Sequence, residues 1–377
     1  HGAKIVRSAE KVQKSPKDFV DENIASFQEL IFTLSITNDD FIRTSDQTRH
    51  WPGAQALWKK LYDAGDIYKS FYRGLYCLGH EAFITDKDLM GDICELHKTK
   101  PEIIEEENYF FKLTKYVTSI QEAIEKQEMV IVPEFRKPEI LNMLKEAEDV
   151  SFSRPSKDIS WGVPVPGDST QTMYVWCDAL SNYISALGYG NSDQSNFQKW
   201  WPADIHVIGK DIVRFHALIW PAMLLAAGVF LPKTLFVHGY INVRGDKMSK
   251  TVGNVIDPMV IAKKYGTDAL RFYLLHEVPT FGDFDYTDEN FAKAYEGLLV
   301  KGIGNLLSRT LKMISIFPEI QKPKLEFLLR YPFKVSLGDI AVENKPLLEG
   351  LPPALWVLEV LDGVYQEHMN RYELNEA

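Results

Sequence analysis

Two stretches of this chain read as an apolar strand running straight into a helix: TMYVWCDAL at residues 172–180 and DIHVIGKDIVRFHALIWPAML at residues 204–224. Strands that feed helices in this way build a parallel sheet, because parallel neighbours need a crossover and cannot be joined by a tight turn. The pattern predicts a doubly wound α/β fold with its ligands at the carboxyl edge of the strands. At VIGKD a strand ends at Gly209 and a helix starts near Asp211, so a helix N-terminus points out of that edge, where nucleotides bind. Asp211 suits a ribose hydroxyl, and a plain helix N-cap is the competing reading. Ile212, Phe215, His216 and Ile219 share one helical face, which more often means core than pocket. His216 is the odd member of that face: it fits either a satisfied core histidine or a partner for a neutral polar atom such as a thioether sulfur.

Around this unit the character of the chain changes several times. Residues 1–66 carry two helical patterns, DFVDENIASFQELIFTL and WPGAQALWKKLYDAGDIYKS, and form the first half of the α/β domain. Residues 67–135 switch to short aromatic strands, glycines and a Cys/His cluster, the character of a small inserted domain. The α/β pattern resumes over 136–230. Residues 231–290 include KTLFVHGYINVRGDKMSK, which alternates as a hairpin around Arg244-Gly245-Asp246, and residues 291–377 read as helical, a bundle.

Two constellations carry chemistry. GDKMSKTVGNVIDP, residues 245–258, holds Lys247 and Lys250 in a glycine-bracketed loop, where mobile point charges suit phosphate oxygens; an ordinary solvated turn is the alternative. Cys77-x2-His80 and Cys94-x2-His97 have the two-plus-two spacing of a tetrahedral zinc knuckle, against which stands a reading as two chance pairs in a metal-free core. Cys177 has no partner in sequence and reads as packing. With only three cysteines, the chain carries no disulfide framework and belongs to a reducing compartment, the cytoplasm by default.

The formal net charge of −10 argues against nonspecific wrapping of nucleic acid, DNA included, and leaves room for a local basic face. The longest apolar run, His216 to Leu231, is too short to span a bilayer and is broken by Pro221 and Gly228. No membrane partner is expected. The opening HGAKIVRSAE reads as the middle of something, and an unseen transit peptide ahead of it would redirect the protein to the mitochondrial matrix.

Taken together, KMSKT after FVHGYINVRGD, VIGKDIVRFHALIWPAML and MYVWCDALSNY resemble the methionyl-tRNA synthetases, class I aminoacyl-tRNA synthetases. The resemblance covers essentially the whole chain: YCLGHEAF to ENYFFKLTKY matches the connective insertion, SFSRPSKDISWGVPVP the return to the sheet, and GNLLSR the start of the anticodon-binding bundle. It implies a Rossmann-like catalytic domain, methionine, ATP with Mg2+, and tRNA(Met) as partner. It assigns Lys247 and Lys250 to a catalytic loop that closes over ATP, with Lys250 stabilising charge on the α-phosphate and the leaving pyrophosphate. Gly209, Asp211 and His238 would line the adenosine site. Trp176, Ala179, Tyr183, Ile212, Phe215 and His216 match the methionine pocket, whose aromatic walls suit a long polarisable side chain. Asn305 and Arg309 match residues that read the CAU anticodon.

The chain departs from the family pattern in several places. The HIGH motif that grips the ATP phosphates falls before HGAKI, as does an acidic residue for the substrate amino group, and the last residues stop before a family proline-tryptophan pair. The resemblance therefore implies a partial sequence of a complete enzyme. Position 180 is Leu where some relatives have Pro. Zinc-binding relatives carry paired Cys-x2-Cys knuckles, and the compactness of this insertion resembles the form that lacks them, which tilts the reading of Cys77, His80, Cys94 and His97 away from a metal. Two other functions stay open: a class I synthetase for a branched aliphatic amino acid, disfavoured because the chain has no room for a large editing domain, and a catalytically silent tRNA-binding or assembly module.

Overall fold

The computed structural model describes residues 1–80, 82–84, 88–248, 253–316, 334–337 and 340–343. It divides into two compact units, residues 1–238 and 239–377.

The first unit opens with helices α1 (Ala3–Lys11), α2 (Pro16–Thr33) and α3 (Trp51–Asp63). Ser15 caps α2 by accepting from the Asp18 amide at 3.1 Å, with Pro16 in the first turn, where a missing N–H leaves nothing unsatisfied. Helix α2 buries none of its residues, whereas α3 buries Gly53, Ala54, Leu57, Trp58 and Leu61, the three-and-four spacing of a core face. Gly53 is required: a Cβ there would sit 2.6 Å from that of Ser185 on a neighbouring helix.

The insertion is a long antiparallel ribbon. Strand β1 (Ile67–Cys77) pairs with β5 (Glu102–Phe111) from Ile67 opposite Phe111 to Tyr76 opposite Glu102. Strand β2 (Ala82–Ile84) adds to β1, and β3 (Leu89–Met90) turns back as β4 (Ile93–Cys94) around Gly91, whose φ of 70° is in the glycine-favoured region.

After α4 (Val117–Glu125) the chain enters the parallel sheet at β6 (Val130–Val132), inside the stretch that sequence reading gives to the insertion. Helix α5 (Lys137–Lys145) leads to β7 (Val150–Ser151), paired with β5, and to an antiparallel sheet of β8 (Ser153–Pro155), β9 (Pro164–Val165) and β10 (Asp168–Met173) in the order β8-β10-β9. Helices α6 (Val175–Ser185) and α7 (Ser195–Trp200) precede β11 (Ile205–Gly209); a distorted helical segment and α8 (Trp220–Ala226) then cross over to β12 (Thr234–His238). The parallel order is β11-β12-β6, with β12 central and its Leu235, Phe236 and Val237 buried. On β11 burial alternates, His206 and Ile208 in, Ile205 and Val207 out.

One core ties this unit together, running from Trp58 and Leu61 through Phe111 and Phe152 to Ile208, Trp220 and Val237. Ranking side chains by hydrophobic burial alone would not place His206 and His216 inside it, yet both are buried.

In the second unit, β13 (Ile241–Val243) turns back as β14 (Asp246–Lys247), the hairpin that the alternation predicts, although KTLFVH upstream belongs to β12. Arg244 and Gly245 both have positive φ, 56° and 78°, the two-residue turn whose twist matches that of the strands. The Gly245 amide donates to Asp285 Oδ1 at 2.8 Å, on β15 (Phe284–Tyr286), which lies parallel to β13. Helices α9 (Pro258–Tyr265), α10 (Thr267–His276) and α11 (Asp288–Ala294) follow, then a π-helical segment, Tyr295–Gly304, and α12 (Asn305–Ile316). Strands β16 (Lys334–Leu337) and β17 (Ile340–Glu343) form an antiparallel pair, which corrects the all-helical reading of 291–377 at a stretch rich in β-branched residues; most of 291–377 after α12 lies outside the described residues. Among the described residues no helix is long and apolar enough to cross a membrane.

Candidate functional site

The carboxyl ends of β11 and β12 are level, with Gly209 opposite His238 in register. A Cβ on Gly209 would lie 2.9 Å from Asp211 Oδ1 and 3.5 Å from His238 Cε1, so a bare backbone, a carboxylate and an imidazole converge at this edge. Asp211 is exposed, in a 3-10 turn over Lys210–Ile212 rather than a regular helix start. The three residues that sequence reading grouped are therefore together, at the edge where open α/β sheets bind ligands.

A second cluster sits alongside, built from α6 and the segment after β11. Trp176, Ala179 and Tyr183 recur at three and four residues along α6 and are all half-buried, so they share a face. Trp176 stacks on Phe215 at 3.8 Å between centroids and 9° between planes, and His216 stands edge-on to Trp176 at 6.2 Å. The Phe215–Ile219 segment is a π-helix, the wider turn that recurs at functional sites. It replaces the uniform helix expected there. His216 Nδ1 lies 2.9 Å from the Ile212 carbonyl and Nε2 lies 2.9 Å from Tyr183 Oη. A carbonyl only accepts, so Nδ1 carries the proton, and Nε2 accepts from the tyrosine hydroxyl. Burial pushes the His216 pKa down and that of Tyr183 up, which keeps the first ring neutral and the second a donor.

Helix α6 is held from behind by residues that the sequence reading passed over. His50, just ahead of α3, donates from Nε2 to Asp178 Oδ1 at 2.6 Å, and its Nδ1 lies 2.8 Å from Ser185 Oγ, two turns further along α6. His1 Nδ1 binds the other oxygen of Asp178. The signal was available in VWCDALSNY, where an aspartate in an apolar helix needs a buried partner. Cys177 beside it is buried, its thiol pushed up by desolvation, as packing predicts.

The insertion brings Cys77, His80, Cys94 and His97 together, with one ligand atom from each and all four atoms within 4.8 Å of one another. Cys94 Sγ is 3.5 Å from His80 Nδ1 and 3.7 Å from His97 Nδ1, Cys77 Sγ is 3.9 Å from His97 Nδ1, and the two Nδ1 atoms are 3.3 Å apart. A tetrahedron with zinc–sulfur bonds of about 2.3 Å and zinc–nitrogen bonds of about 2.0 Å has edges of roughly 3.3 to 3.8 Å, the size of this cluster. The His97 amide also donates to Cys94 Sγ at 3.4 Å, and the bare Cα of Gly79 lies against the His97 ring. The two pairs, thirteen residues apart in sequence, thus converge on one point. They do so because the turn after β1 and the turn after β4 bring their side chains together.

In the second unit, Lys247 Nζ lies 4.5 Å from the centroid of the Tyr240 ring, and Asn254 Nδ2 donates to the Lys247 carbonyl at 3.3 Å, tying the two ends of the loop. Lys250 lies outside the described residues. Asn305 and Arg309 are exposed, one turn apart on α12.

The family model for class I (M) tRNA synthetases matches residues 1–92 and 86–311. The chain belongs to the class I methionyl-tRNA synthetases. It is 42% identical to methionine–tRNA ligase of Clostridium perfringens over 369 residues, 97% of this chain and 56% of that one. It is equally identical to the Thermotoga maritima enzyme over 379 residues, 99% and 59%. The chain thus spans a little over half the length of these curated relatives. Its fold matches Mycobacterium tuberculosis methionyl-tRNA synthetase in complex with methionyl-adenylate at a TM-score of 0.83 and 33% identity, over 100% of this chain and 70% of that one. These likenesses establish the family and its Rossmann-like α/β fold.

Proposed function

We propose that the protein carrying this chain is a methionine–tRNA ligase, which joins methionine to ATP as methionyl-adenylate with release of pyrophosphate and then passes the methionyl group to tRNA(Met). The observation that carries this reading is the adjacency of two sites on one scaffold. A neutral aromatic pocket of Trp176, Phe215, Tyr183 and His216 lies one short turn along the chain from the Gly209–His238 strand ends. The pocket suits an uncharged, polarisable side chain, and the strand ends suit a nucleotide.

In this reading Tyr183 and His216 select the side chain, Gly209, Asp211 and His238 hold adenosine, and Lys247 and Lys250 supply charge to the phosphates, with Mg2+ accompanying ATP. Attack of the methionine carboxylate on the α-phosphorus forms the acyl–phosphate bond as the bond to pyrophosphate breaks. The protein contributes alignment and electrostatic stabilisation. Asn305 and Arg309, exposed on α12, meet the anticodon. Cys77, His80, Cys94 and His97 fit a structural zinc with no open position, which would lend the insertion order and take no part in the reaction.

The test is methionine-dependent exchange between pyrophosphate and ATP. Exchange driven by leucine, isoleucine or valine would move the chain to another synthetase. Binding of tRNA with no exchange for any amino acid would make it a silent tRNA-binding module.

A further inference from the structure

We propose that His206 is a positioning residue for side-chain selection, acting through Tyr183; this rests on reading the Trp176–Tyr183–His216 cluster as the methionine pocket. His206 lies on β11, three residues before Gly209, and is 3% exposed. Both its ring nitrogens are buried without a hydrogen-bond partner among the described residues. Burying polar atoms unpaired is costly, so core packing alone does not account for an imidazole in this slot.

The ring lies against Tyr183, with centroids 4.1 Å apart and planes within 25°. Trp220 leans on the same tyrosine at 6.0 Å, and His216 meets it edge-on at 5.7 Å. Trp201 lies 5.9 Å from His206, tilted by 60°, so the imidazole is packed among aromatic rings. Desolvation pushes the His206 pKa down to about 3, so two uncharged rings stack here at neutral pH.

The Tyr183 oxygen lies on the axis about which its ring turns, so the plane of the ring leaves the oxygen in place and sets the plane in which the O–H bond prefers to lie. That hydroxyl has one proton, given to His216 Nε2, and a methionine sulfur, a weak acceptor, draws on it only where it can share the O–H with that nitrogen, over a narrow range of directions. Norleucine, with a methylene in place of sulfur, gains nothing from it. The preference for methionine over norleucine therefore depends on the angle that His206 imposes, although His206 touches no substrate atom.

Two substitutions separate plane from bulk. His206→Leu fills the slot without a flat ring, and His206→Phe keeps a flat ring without nitrogens. In pyrophosphate exchange, His206→Leu is expected to lower the methionine-over-norleucine preference by ~5- to 10-fold through the methionine KM, with the ATP KM within about 2-fold. His206→Phe should keep most of the preference. A folded His206→Leu protein with the parental preference overturns the proposal. So does a His206→Phe protein that loses as much as His206→Leu, since the nitrogens would then matter and not the plane, or a parallel rise in the ATP KM, which marks general damage. Should the leucine variant fail to fold, retention or loss of preference in the phenylalanine variant decides. If the parent protein activates neither amino acid, the pocket reading falls, a result distinct from any of these.

Discussion

Tyr183 Oη and His216 Nε2 lie 2.9 Å apart, and because Nδ1 of the same ring donates to the Ile212 carbonyl, a neutral His216 leaves Nε2 to accept from the tyrosine hydroxyl. Desolvation holds the His216 pKa below its ordinary value of about 6.5, so the pair persists as pH falls through the range where a solvated imidazole would charge. Methionine affinity, followed by tryptophan fluorescence, should stay flat from about pH 8 to about pH 6. A midpoint near 6.5 would show that His216 titrates freely and that the hydrogen bond does not have the stated polarity.

Removing either wall of the pocket should affect one substrate more than the other. Trp176→Ala loses the 3.8 Å stack on Phe215, and His216→Ala loses the acceptor of Tyr183. Both should raise the methionine KM well above any change in the ATP KM, because both side chains belong to the aromatic cluster read as the methionine pocket. Equal effects on the two KM values would return both residues to the core. The discrimination itself has a ceiling, since an apolar site separates ligands differing by one group by only ~1–3 kcal/mol.

Acid should weaken the first unit through His206. In the unfolded chain its pKa is near the ordinary 6.5, while in the fold it is pushed down to about 3, so the unfolded state binds the proton more readily between these values. The contribution is complete above about pH 6.5 and is lost as pH falls toward 3, at up to ~1.4 kcal/mol per pH unit. Denaturant melts of the parent between pH 7 and pH 4 should show this slope, and His206→Phe should flatten it. An equal slope in both proteins would assign the acid sensitivity to other groups.

How much of this was readable beforehand follows the physics of each element. The strand-helix pattern at residues 204–224 gave the parallel pair β11 and β12, because apolar runs before a helical period leave few other folds. The hairpin at Arg244-Gly245 was legible from turn chemistry. The π-helix at Phe215–Ile219 was not, since a one-residue change in hydrogen-bond spacing leaves no mark on hydrophobic periodicity. Gly209 and His238 could be grouped only through the family resemblance, as 29 positions separate them in sequence and register joins them in space. His206 escaped because alternation along a strand says which face a residue takes, not that a tyrosine from another helix will lie against it. The four metal-type ligands were visible as spacing, but their convergence depends on two turns meeting.

If those four residues hold zinc, the insertion should depend on it. Metal analysis of protein purified without chelator should give about one zinc per chain, as a single four-ligand site requires. Cys94→Ser should lower both metal content and the melting temperature, because site formation and local order share one free energy. The ribbon of β1 and β5 should lose amide-exchange protection near Cys77 first. Protein with no bound metal and an unchanged melt after chelator treatment would leave the cluster as a packed core.

Lys247 and Lys250 are three residues apart in one loop, yet they should not be equivalent. Lys247 lies over the Tyr240 ring and its carbonyl accepts from Asn254, contacts that organise the loop. Its replacement by alanine should therefore be mild. If Lys250 meets the phosphates mainly as charge moves toward pyrophosphate, Lys250→Ala removes transition-state stabilisation and leaves ground-state methionine binding nearly intact. The expected loss is roughly 10² to 10³ in adenylate formation, about 2.7 to 4 kcal/mol, the range for deleting one preorganised charge-stabilising group. Lys250→Arg should recover only part of this, since a planar fork replaces a compact point charge. Single-turnover adenylate formation measured beside equilibrium methionine binding separates the two contributions. An unchanged chemical step in Lys250→Ala would reduce GDKMSKTVGNVIDP to a solvated turn, whereas a slower step with matched loss of methionine affinity would make Lys250 a binding residue.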